Sequence, residues 1–193
     1  MSTSSSKLQH QSWTKSPYFV STDPNLIPTS TLNAWFATEE VYWANPIPDQ
    51  VLRETLQNSL CFGLYKSNKK SPESTETGDH EPEFIGIARC ITDFTTFIYL
   101  TDVFILPQYQ GNGLGTWLVE CVQEVVESMP YLRRSLLFTE DWKRSVPFYE
   151  KLMGMQVHQY QLPTDESEGQ GLAVLMRKGK GNPSYEEKPK SCN

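Results

Sequence analysis

From Val103 to Thr116 the chain reads Val-Phe-Ile-Leu-Pro-Gln-Tyr-Gln-Gly-Asn-Gly-Leu-Gly-Thr, an apolar run broken at Pro107 and followed by three alternating glycines, Gly111, Gly113 and Gly115. Glycines allow positive φ and let the main chain come close to a ligand. N–H groups at the start of a following helix converge on one spot, where the helix dipole favours negative charge. The chemistry on offer is recognition of an anion, and a pyrophosphate is the natural guest. A P-loop needs Gly-Lys-Ser/Thr, and this turn holds no lysine; a dinucleotide fingerprint needs glycine where Thr116 stands. What remains is Gln-x-x-Gly-x-Gly, from Gln110 to Gly115. A turn that serves packing alone is the bland alternative, but three glycines at a helix start are costly unless something uses the exposed main chain.

Two further sets of residues could do chemistry. Asp102 interrupts the apolar run Phe97, Ile98, Tyr99, Leu100, Val103, Phe104, Ile105. A carboxylate in a buried strand is expensive, and desolvation would raise its pKa towards the range of a useful base. The same residue also reads as a structural carboxylate bonded to nearby main chain or to Arg89, and Thr101 is a weaker polar candidate on the opposite face. Glu39-Glu40-Val41-Tyr42-Trp43-Ala44-Asn45-Pro46 combines two acids with two aromatics. That set suits a cationic amine through charge and cation–π contact, with Tyr42 and Trp43 as substrate contacts. It reads equally as a solvated helix end with a packing Trp.

The elements that must position these groups follow from periodicity. Tyr18–Ser21 is a short strand. Leu32, Trp35 and Phe36 have helical spacing. A second helix opens at Pro48, with Val51, Leu52, Thr55 and Leu56 on its inner face. Leu60–Tyr65 and Glu83–Thr92 are strands, and Thr96–Leu106 is a strand apolar on both faces, hence central. Leu114, Trp117, Leu118, Cys121, Val122, Val125 and Val126 repeat at i, i+3, i+4, i+7 and define an amphipathic helix of about four turns. Arg134–Phe138 is a strand, and Lys143–Met153 a helix closed by Gly154, with Val146, Tyr149, Leu152 and Met153 facing in. Met155–Tyr160 and Leu172–Arg177 complete the sheet as an antiparallel pair. The order βααβββαβαββ implies a three-layer α/β fold with a mixed, mostly antiparallel central sheet flanked by helices.

Strand, Gln110-Gly111-Asn112-Gly113-Leu114-Gly115, then amphipathic helix resembles the acetyl-CoA signature of the GCN5-related N-acetyltransferases (GNAT). Phe148-Tyr149-Glu150-Lys151-Leu152-Met153-Gly154-Met155 is similar to that family's late-helix block, with one residue inserted before the glycine. The resemblance spans about Tyr18 to Arg177. It implies a GNAT-type fold and acetyl-CoA as co-substrate. Backbone amides from Gln110 to Gly115, with Thr116, would hold the pyrophosphate. Main-chain groups of Phe104 and Ile105 would bond the pantetheine arm as an added strand. Tyr149 would give a proton to the departing thiolate, although its inward position also fits a core tyrosine. The family often places a base near Asp102. Gln110 stands where many members have arginine. The asparagine that often precedes the late helix is absent, with Trp142 and Lys143 nearest.

Composition narrows the rest. The 193 residues suggest one domain, read as residues 17–177 with a polar insertion at 67–82 between tails 1–16 and 178–193 that lack the apolar content to order themselves. A formal net charge of −6 argues against nucleic acid as a partner. No run approaches the ~20 apolar residues of a membrane span, and Met1–Ser16 has no apolar block of a secretory signal. Cys61, Cys90, Cys121 and Cys192 form no CxxC; three of them sit among apolar neighbours, and the set reads as reduced thiols, those three in the core, of a cytoplasmic protein; with His10, His80 and His158 they offer no metal site. No cysteine falls in either family-like segment, so transfer is expected to be direct, in a ternary complex. The expected function is acetyl-CoA-dependent N-acetylation of a small amine, amino acid or xenobiotic. The alternatives are a protein N-terminal or lysyl acetyltransferase and a non-catalytic acyl-CoA-binding module. The sequence leaves open whether the chain acts as a homodimer.

Overall fold

Strand β3 (Leu60–Lys66) is buried at every position from Leu60 to Tyr65, which requires cover on both faces. Cys61 and Tyr65 join one cluster with Ile27, Leu32, Trp35, Val41, Leu52, Leu56, Phe84 and Ile87, while Phe62 and Leu64 are fully buried at the alternate positions. The computed structural model in which this is seen describes residues 8–68, 81–158 and 173–178. Its strands form an eight-stranded mixed, mostly antiparallel sheet of order β1-β2-β3-β4-β5-β6-β8-β7, flanked by helices. The chain divides into two compact units, Met1–Ile91 with Leu100–Val122, and Thr92–Tyr99 with Gln123–Asn193.

In the first unit, β1 (Ser12–Lys15), β2 (Tyr18–Ser21), β3 and β4 (Glu83–Thr92) pair antiparallel in turn. β1 lies within the segment that composition assigns to a disordered tail. An edge strand needs only backbone donors and one anchoring side chain; here Trp13 lies 5.8 Å from Phe62. Helix α1 (Thr29–Phe36) buries Leu32 and Trp35, and Trp35 stacks on Phe84 at 4.5 Å. Helix α2 (Asp49–Gln57) buries Leu52 and Leu56, one turn apart. Val51, expected on that inner face, is 47% exposed: a single step along a helix turns a side chain by about 100°. Asn68 Nδ2 donates to Glu81 O (2.9 Å) where the polar insertion joins the sheet. Residues 69–80 lie outside the described residues, as do 1–7 and 179–193 of the two tails.

Strand β5 (Phe97–Ile105) and helix α3 (Leu114–Ser128) each run from one unit into the other. In the second unit β5 pairs parallel with β6 (Arg134–Thr139), but only from Phe97↔Arg134 to Tyr99↔Leu136. Strand β8 (Ala173–Lys178) pairs antiparallel with β6 and with β7 (Gln156–Val157), giving the expected final antiparallel pair. Helix α4 (Ser145–Met153) buries Val146, Tyr149 and Met153 at i, i+3, i+7, and Gly154 closes it at φ +61.

Candidate active site

The glycine turn is built from main-chain geometry. Leu106 N–H returns to Ile85 O (3.0 Å), and Pro107–Tyr109 forms one 3-10 turn. Gly111 and Gly113 have φ of +79° and +74°, yet a Cβ at either would meet nothing within 4 Å. Conformation, not space, requires glycine there. Gly115 has ordinary φ, and a Cβ there would lie 3.7 Å from Ile105 Cγ1. The first bond of α3 runs from Trp117 N–H to Gly113 O (3.0 Å), so the N–H groups of Leu114, Gly115 and Thr116 precede the intrahelical ladder. Gly111, Asn112, Gly113 and Thr116 are exposed and Leu114 is buried. These amides suit a diphosphate. Gln110 differs from expectation: its N–H is taken by Pro107 O (3.1 Å), and its side chain donates to Ile105 O (2.7 Å). It braces the turn instead of lining it.

Tyr109 braces the other side. Its hydroxyl donates to Glu83 Oε2 (2.7 Å), which pushes the phenol up to about 12, and Lys66 Nζ lies 5.6 Å from its ring. Phe104 packs on the α1–α2 cluster beside Trp35. A Cβ at Gly86 would meet Phe104 O at 2.9 Å, so β4 must carry glycine where β5 passes it. The ladder from β5 to β6 stops at Tyr99, although β5 continues to Ile105.

Asp102 lies beyond the last pairing of β5 with β6, at φ +48°. Its Oδ2 accepts from Arg89 Nε at 2.6 Å and its Oδ1 from Trp43 Nε1 at 3.2 Å, with Thr101 Oγ1 at 3.4 Å from Oδ1. The ion pair is largely buried, with 16% of the Arg89 side chain and 10% of that of Asp102 exposed. Arg89 Nη1 also donates to Ser59 Oγ (3.2 Å). The structural alternative from sequence, a pair with Arg89, is thus present, and Trp43 is added to it. Tyr42 and Trp43 stand edge to face at 5.2 Å and are 67% and 42% exposed. Glu39 and Glu40 open the short 3-10 turn before them.

Tyr149 belongs to the second unit. It is buried, edge-on to Phe148 at 5.0 Å, and its carbonyl accepts from the N–H groups of Gly154 and Met155. Asp141 launches its helix: Oδ1 accepts Arg144 N–H and Oδ2 accepts Arg144 Nε, both at 2.9 Å, holding this carboxyl below the usual range. Sequence reasoning passed over Asp141; an acid four residues ahead of an apolar helix face was the available signal.

Cys61, Cys90 and Cys121 are buried thiols, and burial pushes Cys61 up to about 12 and raises Cys90 as well. Among the described residues no group of three or more His, Cys, Asp or Glu is placed to hold a metal ion, and no helix is long and apolar enough to cross a membrane.

Residues 32–155 match the model of the acetyltransferase (GNAT) family. The chain is 38% identical over 178 residues to a Gibberella zeae protein assigned as acetyltransferase FG08082, covering 89% of this chain and 94% of that one. A Xanthomonas campestris structure assigned to the GNAT family aligns with TM-score 0.54 and 25% identity, covering 87% of this chain and 97% of that one. Spermidine N-acetyltransferase from Vibrio cholerae, solved with CoA and spermine, aligns with TM-score 0.56 over 86% of this chain and 98% of its own; at 13% identity this is a likeness of fold.

Proposed function

Since this chain belongs to the acetyltransferase (GNAT) family and is an acyltransferase, we propose that it moves the acetyl group of acetyl-CoA directly onto the primary amine of a small molecule in a ternary complex. The observation that carries this reading is the turn after Pro107, where two positive-φ glycines lead into the N–H groups of Leu114, Gly115 and Thr116. Those donors, with Gly111, Asn112 and Gly113, hold the pyrophosphate. Main-chain groups of Phe104 and Ile105 meet the pantetheine arm where β5 runs past the end of its β6 ladder.

The acceptor attacks as the neutral amine. The new C–N bond forms as the C–S bond breaks; the nitrogen sheds one proton to solvent water, the thiolate takes one from the Tyr149 hydroxyl, and solvent returns a proton to the Tyr149 phenolate. Exposed Tyr42 and Trp43, beside Glu39 and Glu40, attract the acceptor as its ammonium ion, which releases one proton to solvent before the neutral amine attacks. Direct transfer is favoured over an acetyl-enzyme because the described cysteines are buried, with Cys61 and Cys90 raised far from thiolate. The same buried thiols favour a reducing, cytoplasmic setting.

Thiol release from acetyl-CoA, measured against amines, amino acids and peptides, tests the reading. A small primary amine giving the highest kcat/KM supports it; a peptide N-terminus or lysine giving the highest value moves the acceptor to protein. Replacing Tyr149 by Phe is expected to lower kcat by about tenfold or more with acetyl-CoA affinity unchanged. An unchanged kcat removes Tyr149 from the mechanism.

A further inference from the structure

Asp102 combines three observations on one residue. Its φ of +48° is unusual for a side chain with a Cβ, a conformation that its surroundings must hold in place. It marks a break in side-chain alternation: Ile98 and Leu100 are buried before it, and Ile105, of opposite parity, after it. Both carboxylate oxygens accept from fixed donors on other segments, Arg89 on β4 and Trp43 on the loop after α1. Arg89 is itself tied to Ser59, whose hydroxyl donates to Thr55 O (2.7 Å) in α2.

A general base needs an oxygen turned towards the proton it removes. Here one oxygen is held by a guanidinium and the other by an indole N–H. The residue these bonds hold most consequentially is Trp43, 42% exposed and otherwise carried on a loop.

We propose that Asp102 is a positioning residue: through Trp43 Nε1 it fixes the aromatic pair Trp43–Tyr42 against the strand that receives acetyl-CoA, and so sets acceptor affinity without acting on the amine proton. This rests on the acetyl-transfer reading. In that scheme Arg89 neutralises the carboxylate, Asp102 re-aims β5, and the carboxylate places the indole.

The test is a cycle of wild type, Trp43→Phe, Asp102→Asn and the double variant. Phe keeps the ring and removes the N–H; Asn keeps the shape and removes the charge. Each single variant is expected to raise acceptor KM about five- to tenfold, with kcat and acetyl-CoA affinity within about twofold of wild type, and the double variant to be no worse than the poorer single. Overturning results are additive losses, or an Asp102→Asn enzyme whose kcat falls about a hundredfold and loses its acid limb while Trp43→Phe turns over normally. Asp102→Gly, which keeps the positive φ without strain, guards against misfolding. Its indole emission, compared with wild type after subtracting the matching Trp43→Phe proteins, is expected to shift; unchanged Trp43 emission refutes the tether. That readout needs no turnover, so it separates failure of the tether from failure of the acetyl-transfer reading.

Discussion

The turn after Pro107 and the carboxylate five residues before it both use positive φ, and they hold it by opposite means. At Gly111 and Gly113 the conformation costs no steric energy and no atom within 4 Å would oppose a Cβ. At Asp102 an L-residue adopts it because Arg89, Trp43 and Thr101 grip its carboxylate. The first region is shaped by the backbone and leaves its N–H groups to a ligand. The second is shaped by side chains and spends its polar atoms inside the protein. A binding surface made of amides should therefore tolerate neighbouring side-chain changes and fail on an added Cβ. At Asp102, glycine should relieve the backbone strain but strand the Arg89 guanidinium and release Trp43, so that network should fail when any of its side chains is removed.

The largest effect expected from breaking this contrast is at Arg89. Arg89→Met leaves a largely buried carboxylate without its cation and should lower stability by about 2 kcal/mol in urea denaturation. Adding Asp102→Gly should restore part of that loss; a further loss would show that the ion pair is not what Arg89 serves. Next is Gly113→Ala. It places a Cβ at φ +74° in open space, where the free turn has room to relax; about 1 kcal/mol of strain is then met on binding, so acetyl-CoA affinity should fall about fivefold with little change in melting temperature. Unchanged affinity would mean the turn's conformation is not used for binding.

A third carboxylate sharpens the comparison with a smaller effect. Asp93, exposed in the β4–β5 turn, accepts the N–H groups of Thr95 (3.0 Å), Thr96 (2.7 Å) and Phe97 (3.1 Å) on Oδ1. What burial it has acts upwards, but the bonds from Thr96, Thr95 and Phe97 hold its carboxyl well below the usual range. With a depressed folded pKa, its contribution is complete above the unfolded value near 4 and is lost as pH falls below it. Asp93→Asn should cost about 1 kcal/mol at pH 7, with a difference from wild type that shrinks on acidification. A pH-independent difference would contradict the ionised cap.

The same contrast explains what could be read from sequence. The glycine turn, the α3 stripe and the buried run of β3 are local patterns set by residue type and period, and each is found where periodicity places it. Val51 was misassigned because a one-residue error on a short helix crosses from core to solvent. β1 went unseen because an edge strand pairs through its backbone and needs little apolar content. The Trp43–Asp102 bond joins residues 59 apart, and neither side chain carries a local mark of the other. Aspartate tolerates left-handed backbone better than most residues, but nothing in an apolar run announces that it does so.

The most direct measurement is calorimetric titration of the folded chain with CoA and acetyl-CoA. The account predicts saturable one-to-one binding by wild type, weakened in Gly113→Ala and retained in Tyr149→Phe. Well-folded protein that shows no binding heat with either thiol or thioester, at several temperatures, would contradict it.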